Sequence, residues 1–173
     1  MYRRTQDFAR AILQRVPERA TVLEIGCGDG QLTQLLREAG CAVTALDPNP
    51  RAPFEVVGLR FEEFAAPARS FDCIAAQLVL HHAADLDGFL DKAQTQLRPE
   101  GAIAVDEYGW ERAGSDVSEE WRNDRRDLHT SQRMLEALRK RFTQAYYADH
   151  AYFEDGAGSD RLAFTFIGRP REG

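Results

Sequence analysis

Apolar residues recur along the chain in two rhythms, one helical and one strand-like. Over 2–16, Phe8, Ile12, Leu13 and Val16 fall on one helical stripe, and Pro17 stops it. An apolar run then predicts a strand over 20–25. It ends in glycines at alternate positions, Gly26, Gly28 and Gly30. A helix over 30–39 follows at once, with Leu32, Leu35 and Leu36 on one face and Gly40 as its stop signal. Further strands are expected over 42–46, briefly over 55–58, and over 72–77, the last a near-continuous apolar run of the kind a buried parallel strand shows. Leu86, Phe89, Leu90, Ala93 and Leu97 mark a helix over 85–97, and a strand over 102–106 follows the breaker Arg98-Pro99-Glu100-Gly101. Ser118 can cap a charged helix reaching about Arg126. Thr130 or Ser131 can cap the next, whose apolar face is Met134, Leu135, Leu138 and Phe142. Residues 146–153 and 161–168 alternate as a terminal hairpin, with Gly156 and Gly158 in its connection.

Composition narrows this picture. A chain of 173 residues suits one domain with a sizeable core. No apolar run approaches a membrane span, and the first twenty residues, with Asp7 and Glu18 among arginines, do not read as a leader peptide. Cys27, Cys41 and Cys73 each adjoin apolar stretches, as reduced thiols of a cytoplasmic protein would. The net charge of −6 argues against a sequence-independent nucleic-acid binder.

The strand–glycine turn–helix unit is the strongest chemical signal. Glycines allow positive φ and let backbone approach a ligand closely, at the carboxyl end of the strand. A dinucleotide loop would need a glycine where Gln31 stands, and a phosphate loop would need a lysine that is absent. Glu24, two residues before the first glycine, is a poor neighbour for phosphate and a good one for a cation. Glu24-Ile25-Gly26-Cys27-Gly28-Asp29-Gly30 resembles in full the first motif of class I S-adenosylmethionine-dependent methyltransferases. Leu97-Arg98-Pro99-Glu100-Gly101 resembles that family's turn before its fifth strand. Leu80-His81-His82 resembles an ending common in the ubiquinone-biosynthesis type of small-molecule methyltransferase.

The resemblance implies an α/β, Rossmann-like three-layer sandwich with a seven-stranded, mostly parallel sheet whose last strand is antiparallel. It implies S-adenosylmethionine as cofactor, with S-adenosylhomocysteine as product. The cofactor would lie on Glu24, Gly26, Cys27 and Gly28. Asp47, followed by Pro48, would take the ribose hydroxyls, Phe61 and Glu62 the adenine, and Gln77 and Leu78 the methyl-transfer side. One departure is plain: only Asn49 to Phe54, with Pro50 and Pro53, stand where the family has a crossover helix.

Methyl transfer needs alignment and, for a protonated acceptor, a base. His82, His129 and Glu107 are the candidates for that base. Each also has a plainer reading: His82 orienting a loop, His129 preceding a helix cap, Glu107 bound to a helix N-terminus. No acidic residue stands where metal-dependent catechol methyltransferases need one, so no metal is expected; nor is there the Asn/Asp-Pro-Pro-aromatic string of enzymes that methylate base amines. Residues 111–144 form an insertion on the acceptor side, and Trp110, Trp121, His129 and His82 would wall a pocket for a small, partly apolar or aromatic acceptor. Two alternatives stay open: transfer to a macromolecule, and a catalytically silent cofactor-binding subunit.

Overall fold

The computed structural model describes residues 3–115, 117–153 and 161–171. In chain order the elements are α1 (Arg3–Leu13), β1 (Thr21–Ile25), α2 (Gln31–Glu38), β2 (Ala42–Leu46), β3 (Phe71–Gln77), α3 (Leu86–Gln96), β4 (Leu97–Tyr108), α4 (Glu119–Asn123), α5 (Ser131–Arg141), β5 (Phe142–His150) and β6 (Ala163–Pro170). They build one sheet in the order β2-β1-β3-β4-β6-β5. The pairs β1–β2, β1–β3 and β3–β4 are parallel, and β6 runs antiparallel to both its neighbours.

The sheet has six strands rather than the expected seven. The short strand expected over 55–58 is reduced to a single parallel bridge, Leu46 with Val57. The segment before it holds Pro50 and Pro53 and carries no helix, so nothing presses a longer strand against β2. Phe142, assigned above to a helical face, is the first residue of β5. The breaker after α3 persists as a bulge: pairing with β3 jumps from Leu97 to Ala102 while the partner advances only from Phe71 to Cys73. Ser118 and Thr130 cap α4 and α5 through their side-chain oxygens as expected. Tyr2, Gly156 and Gly158 lie outside the described residues.

Strand alternation decides which side chain meets which helix layer. Val22, Cys73, Ala75, Ala102 and Ala104 face α1 and α2, packing on Phe8, Ile12, Leu32 and Leu36. Leu23, Ile74, Ala76, Ile103 and Val105 face the opposite layer, where Phe89, Leu90, Met134 and Leu138 cover them. The α1 face of β3 and β4 is built of small residues, which lets α1 lie close. The same alternation carries Gln77 and Asp106 onto the α1 face at the strand ends, and turns Glu107 to the other side.

Candidate active site

The glycine turn after β1 is held by backbone. The N–H groups of Gly26 and Cys27 both donate to the Leu46 carbonyl, at 2.7 and 3.1 Å, and Gly30 donates back to Cys27. The three glycines have positive φ, +71°, +54° and +82°, but different surroundings. A Cβ on Gly26 would strike Val79 at 2.5 Å, and one on Gly30 would strike Phe54 at 2.3 Å. A Cβ on Gly28 would meet only the tip of Arg51, at 3.9 Å. Gly26 and Gly30 thus serve close packing, whereas Gly28 borders open space.

That space is a cleft of about 510 Å³ walled by Glu24, Gly26, Gly28, Gln77, Leu78 and Arg4. Cys27 also lines it. Glu24 is almost fully buried and accepts a hydrogen bond from the Thr33 hydroxyl. Burial pushes its pKa up to about 7, against the opposing pull of Thr33 and Arg37. Burial, with Glu24 and Asp47 nearby, likewise pushes the Cys27 thiol up to about 12, so it carries no thiolate near neutral pH. Asp47 stands behind the turn. One oxygen accepts from the Gly28 N–H at 2.8 Å and the other from the Asn49 N–H at 2.7 Å.

Asp47, Pro48, Phe61 and Glu62 lie outside the cleft lining. Pro48 and Glu62 are exposed, while Phe61 is buried against Phe89 with ring centroids 4.6 Å apart. Lys92 clamps that segment by donating to the carbonyls of Phe61 and Glu62.

Several residues at the cleft carry no motif in the sequence. Arg4 makes a paired contact with Asp106, Nε to Oδ2 at 2.8 Å and Nη2 to Oδ1 at 3.2 Å. Asp106 is fully buried. Gln77 and His150 also donate to it, at 2.7 and 2.9 Å, and the Gln77 amide oxygen accepts from Thr5. Burial opposes ionisation of Asp106, but Arg4 and His150 outweigh it and hold its pKa below the ordinary value. Arg51, Tyr152 and Phe153 also line the cleft.

The three candidate bases gather around the turn Leu80–His82. Glu107 is fully buried: Oε1 accepts from the N–H groups of Val79 and Leu80 at 2.6 and 2.5 Å, and Oε2 pairs with His81 Nδ1 at 2.6 Å. Both oxygens are engaged beneath the turn, away from the cleft. His129 donates from Nε2 to the Ala83 carbonyl, 2.8 Å, which leaves Nδ1 as its acceptor nitrogen. His82 is exposed, and partial burial of its ring together with His81 lowers its pKa, so it is neutral near pH 7. A chain of ring contacts runs from here to the cleft: His82 on His81, His81 on Tyr108, Tyr108 on Tyr152. Trp121 joins it, against Tyr108, Tyr152 and Phe153. Trp110 instead donates its indole N–H to the Leu128 carbonyl, beside His129.

A strand-end cleft on a tight glycine turn is the arrangement of a Rossmann-like ligand-binding domain. The sequence profile of a family described as methyltransferase domain matches residues 1–153, and the chain belongs to that family. The family's cofactor is S-adenosylmethionine. Among curated relatives, the ubiquinone biosynthesis O-methyltransferase of Methylobacterium sp. (strain 4-46) is 34% identical over 94 residues, covering 47% of this chain and 38% of its own. The demethylmenaquinone methyltransferase of Tropheryma whipplei (strain Twist) is 30% identical over 99 residues, covering 50% and 41%. The chain thus matches well under half the length of these relatives. Among solved structures, the Burkholderia thailandensis 1,6-didemethyltoxoflavin-N1-methyltransferase, with its namesake compound and S-adenosylhomocysteine bound, shares the fold at TM-score 0.75. It is 20% identical, covering 98% of this chain and 79% of its own.

Proposed function

We propose that this chain transfers a methyl group from S-adenosylmethionine to an oxygen or nitrogen of a small molecule. The observation that carries the reading is Gly28, a cleft-lining turn glycine whose Cβ position meets no close neighbour, beside the buried Glu24. The cleft lining fits the cofactor: Glu24 suits its cationic amino group and Arg4 its carboxylate. Asp47, outside the lining but bonded to the Gly28 N–H, retains lone pairs for the ribose. When bound, S-adenosylmethionine supplies an activated methyl group on a sulfonium, and release of the sulfonium as a neutral thioether drives the displacement. The chain's part is to exclude water and align the acceptor behind that methyl. His82, neutral near pH 7, or His129 through Nδ1 takes the acceptor's proton. Glu107 acts through the turn it anchors. Tyr152 and Phe153 form the aromatic side of the acceptor space, with Tyr108 and Trp121 packed behind them. The names of the curated relatives, a ubiquinone biosynthesis O-methyltransferase and a demethylmenaquinone methyltransferase, favour a small molecule over a macromolecule here too.

The test is release of S-adenosylhomocysteine across a panel of small phenols and amines. An acceptor-dependent signal is expected, with His82→Ala or His129→Ala lowering kcat more than it raises KM. Tight cofactor binding without release for any acceptor, small or macromolecular, would point to a silent binding subunit.

A further inference from the structure

A second groove, of about 530 Å³, runs between α1 and the outer face of β5. Its volume is in the range of small-molecule sites. Tyr146, Ala148 and His150 line the groove from the edge strand at alternate positions, with α1 as the opposite wall. The groove meets the cofactor cleft, because Arg4, Tyr152 and Phe153 line both.

Its chemistry is aromatic and cationic. Arg4 lies over the Tyr152 ring at 5.1 Å, and Arg15, outside the groove lining, lies over one face of the Tyr146 ring at 4.1 Å. Arg3 and Arg10 stand on the rim and share one counter-ion, Asp7, at 3.8 and 2.7 Å. Arg4 is matched from below by Asp106. The rim therefore carries positive charge in excess, on a chain whose formal net charge is −6. A neutral or cationic ligand would gain nothing from that excess. A planar anion would gain ring contact and charge together.

We infer that this groove seats the anionic end of the methyl acceptor, an aromatic carboxylate whose reacting hydroxyl or amine reaches the cofactor cleft past Arg4, Tyr152 and Phe153. The inference rests on the methyl-transfer reading and names the substrate class for it. Carboxylate recognition is by the rim arginines, and ring recognition by Tyr146 and Tyr152. Ala148, small and half-buried, leaves the floor open for the ring.

The experiment is ligand-observed NMR and calorimetry on the full chain, with and without S-adenosylhomocysteine. The probes are hydroxybenzoates and aminobenzoates and their uncharged primary amides. Acids should bind about fivefold more tightly than amides, the scale of an exposed charge pair. Arg10→Glu should erase that preference. Ala148→Trp should abolish binding of both probes while S-adenosylhomocysteine affinity holds. Equal binding of acid and amide, or acid binding that survives Ala148→Trp, would overturn the inference. So would failure of the acids to bind a chain that still takes S-adenosylhomocysteine, and that outcome leaves the cofactor reading standing. Groove-dependent acid binding by a chain indifferent to S-adenosylhomocysteine would overturn the cofactor reading, and with it the groove's role as an acceptor site, while leaving its carboxylate recognition standing.

Discussion

Glu24 is a buried acid poised to titrate near neutrality, and two consequences follow. An unfolded chain loses this proton near 4.5, whereas the folded chain keeps it to about 7. The folded state therefore binds more protons across that window, and Glu24 makes stability fall as pH rises through it, by roughly 3 kcal/mol in all. Glu24→Gln should flatten that slope in denaturant titrations at pH 4.5 to 7.5. A ligand cation beside Glu24 favours the ionised form, so binding should release a proton. Cofactor affinity should then rise with pH up to about 7 and level off, with little such rise in Glu24→Gln; calorimetry in buffers of different ionisation heat checks it. Gly28→Ala meets no clash but pays the cost of positive φ, on the order of 1 kcal/mol. It should fold and lose cofactor affinity, whereas Gly26→Ala and Gly30→Ala should lose stability as well. The glycine motif was legible because its chemistry is consecutive in the chain. The Asp106 cluster was not, because Arg4, Gln77 and His150 stand 102, 29 and 44 residues away from it. No local pattern marks a partner at such separations.

Helix α1 forms a wall of both the cleft and the groove, and its first turn is tied to β3 and β4 through Gln77 and Asp106. Asp106→Asn would leave Arg4 without its buried counter-charge, at a cost of roughly 3–5 kcal/mol. Hydrogen exchange should show α1 losing protection before β1 or β3 does, and cofactor affinity should fall with it. Uniform loss of protection would mean that Asp106 supports the sheet as a whole rather than docking α1. At this scale hydrophobic rhythm was a good guide: the helices over Leu86–Gln96 and Ser131–Arg141 and the strands over Thr21–Ile25 and Ala42–Leu46 fall where it placed them. It failed where a strand has too few partners. Val57 makes one bridge because Pro50 and Pro53 leave its segment without a covering helix. Phe142 was misplaced because α5 passes into β5 without a loop, so one apolar residue satisfies both rhythms.

Across the whole molecule, the two helix layers leave the carboxyl ends of β1, β3 and β4 as one working edge, where cleft, turn and aromatic cluster meet. Among the described residues no group of three or more His, Cys, Asp and Glu side chains is placed to hold a metal ion, and no helix is long and apolar enough to cross a membrane. Turnover, once an acceptor is in hand, should survive EDTA; loss with chelator and recovery with magnesium would show that a metal takes part. The central claim is that the glycine-turn cleft binds S-adenosylmethionine, and calorimetric titration tests it most directly. S-adenosylhomocysteine should bind the wild-type chain near the micromolar range, about −8 kcal/mol, and NAD should not bind. Asp47→Ala should weaken the first by roughly 1.5–3 kcal/mol. Binding of NAD in place of S-adenosylhomocysteine, or S-adenosylhomocysteine binding indifferent to both Gly28→Ala and Asp47→Ala, would contradict it.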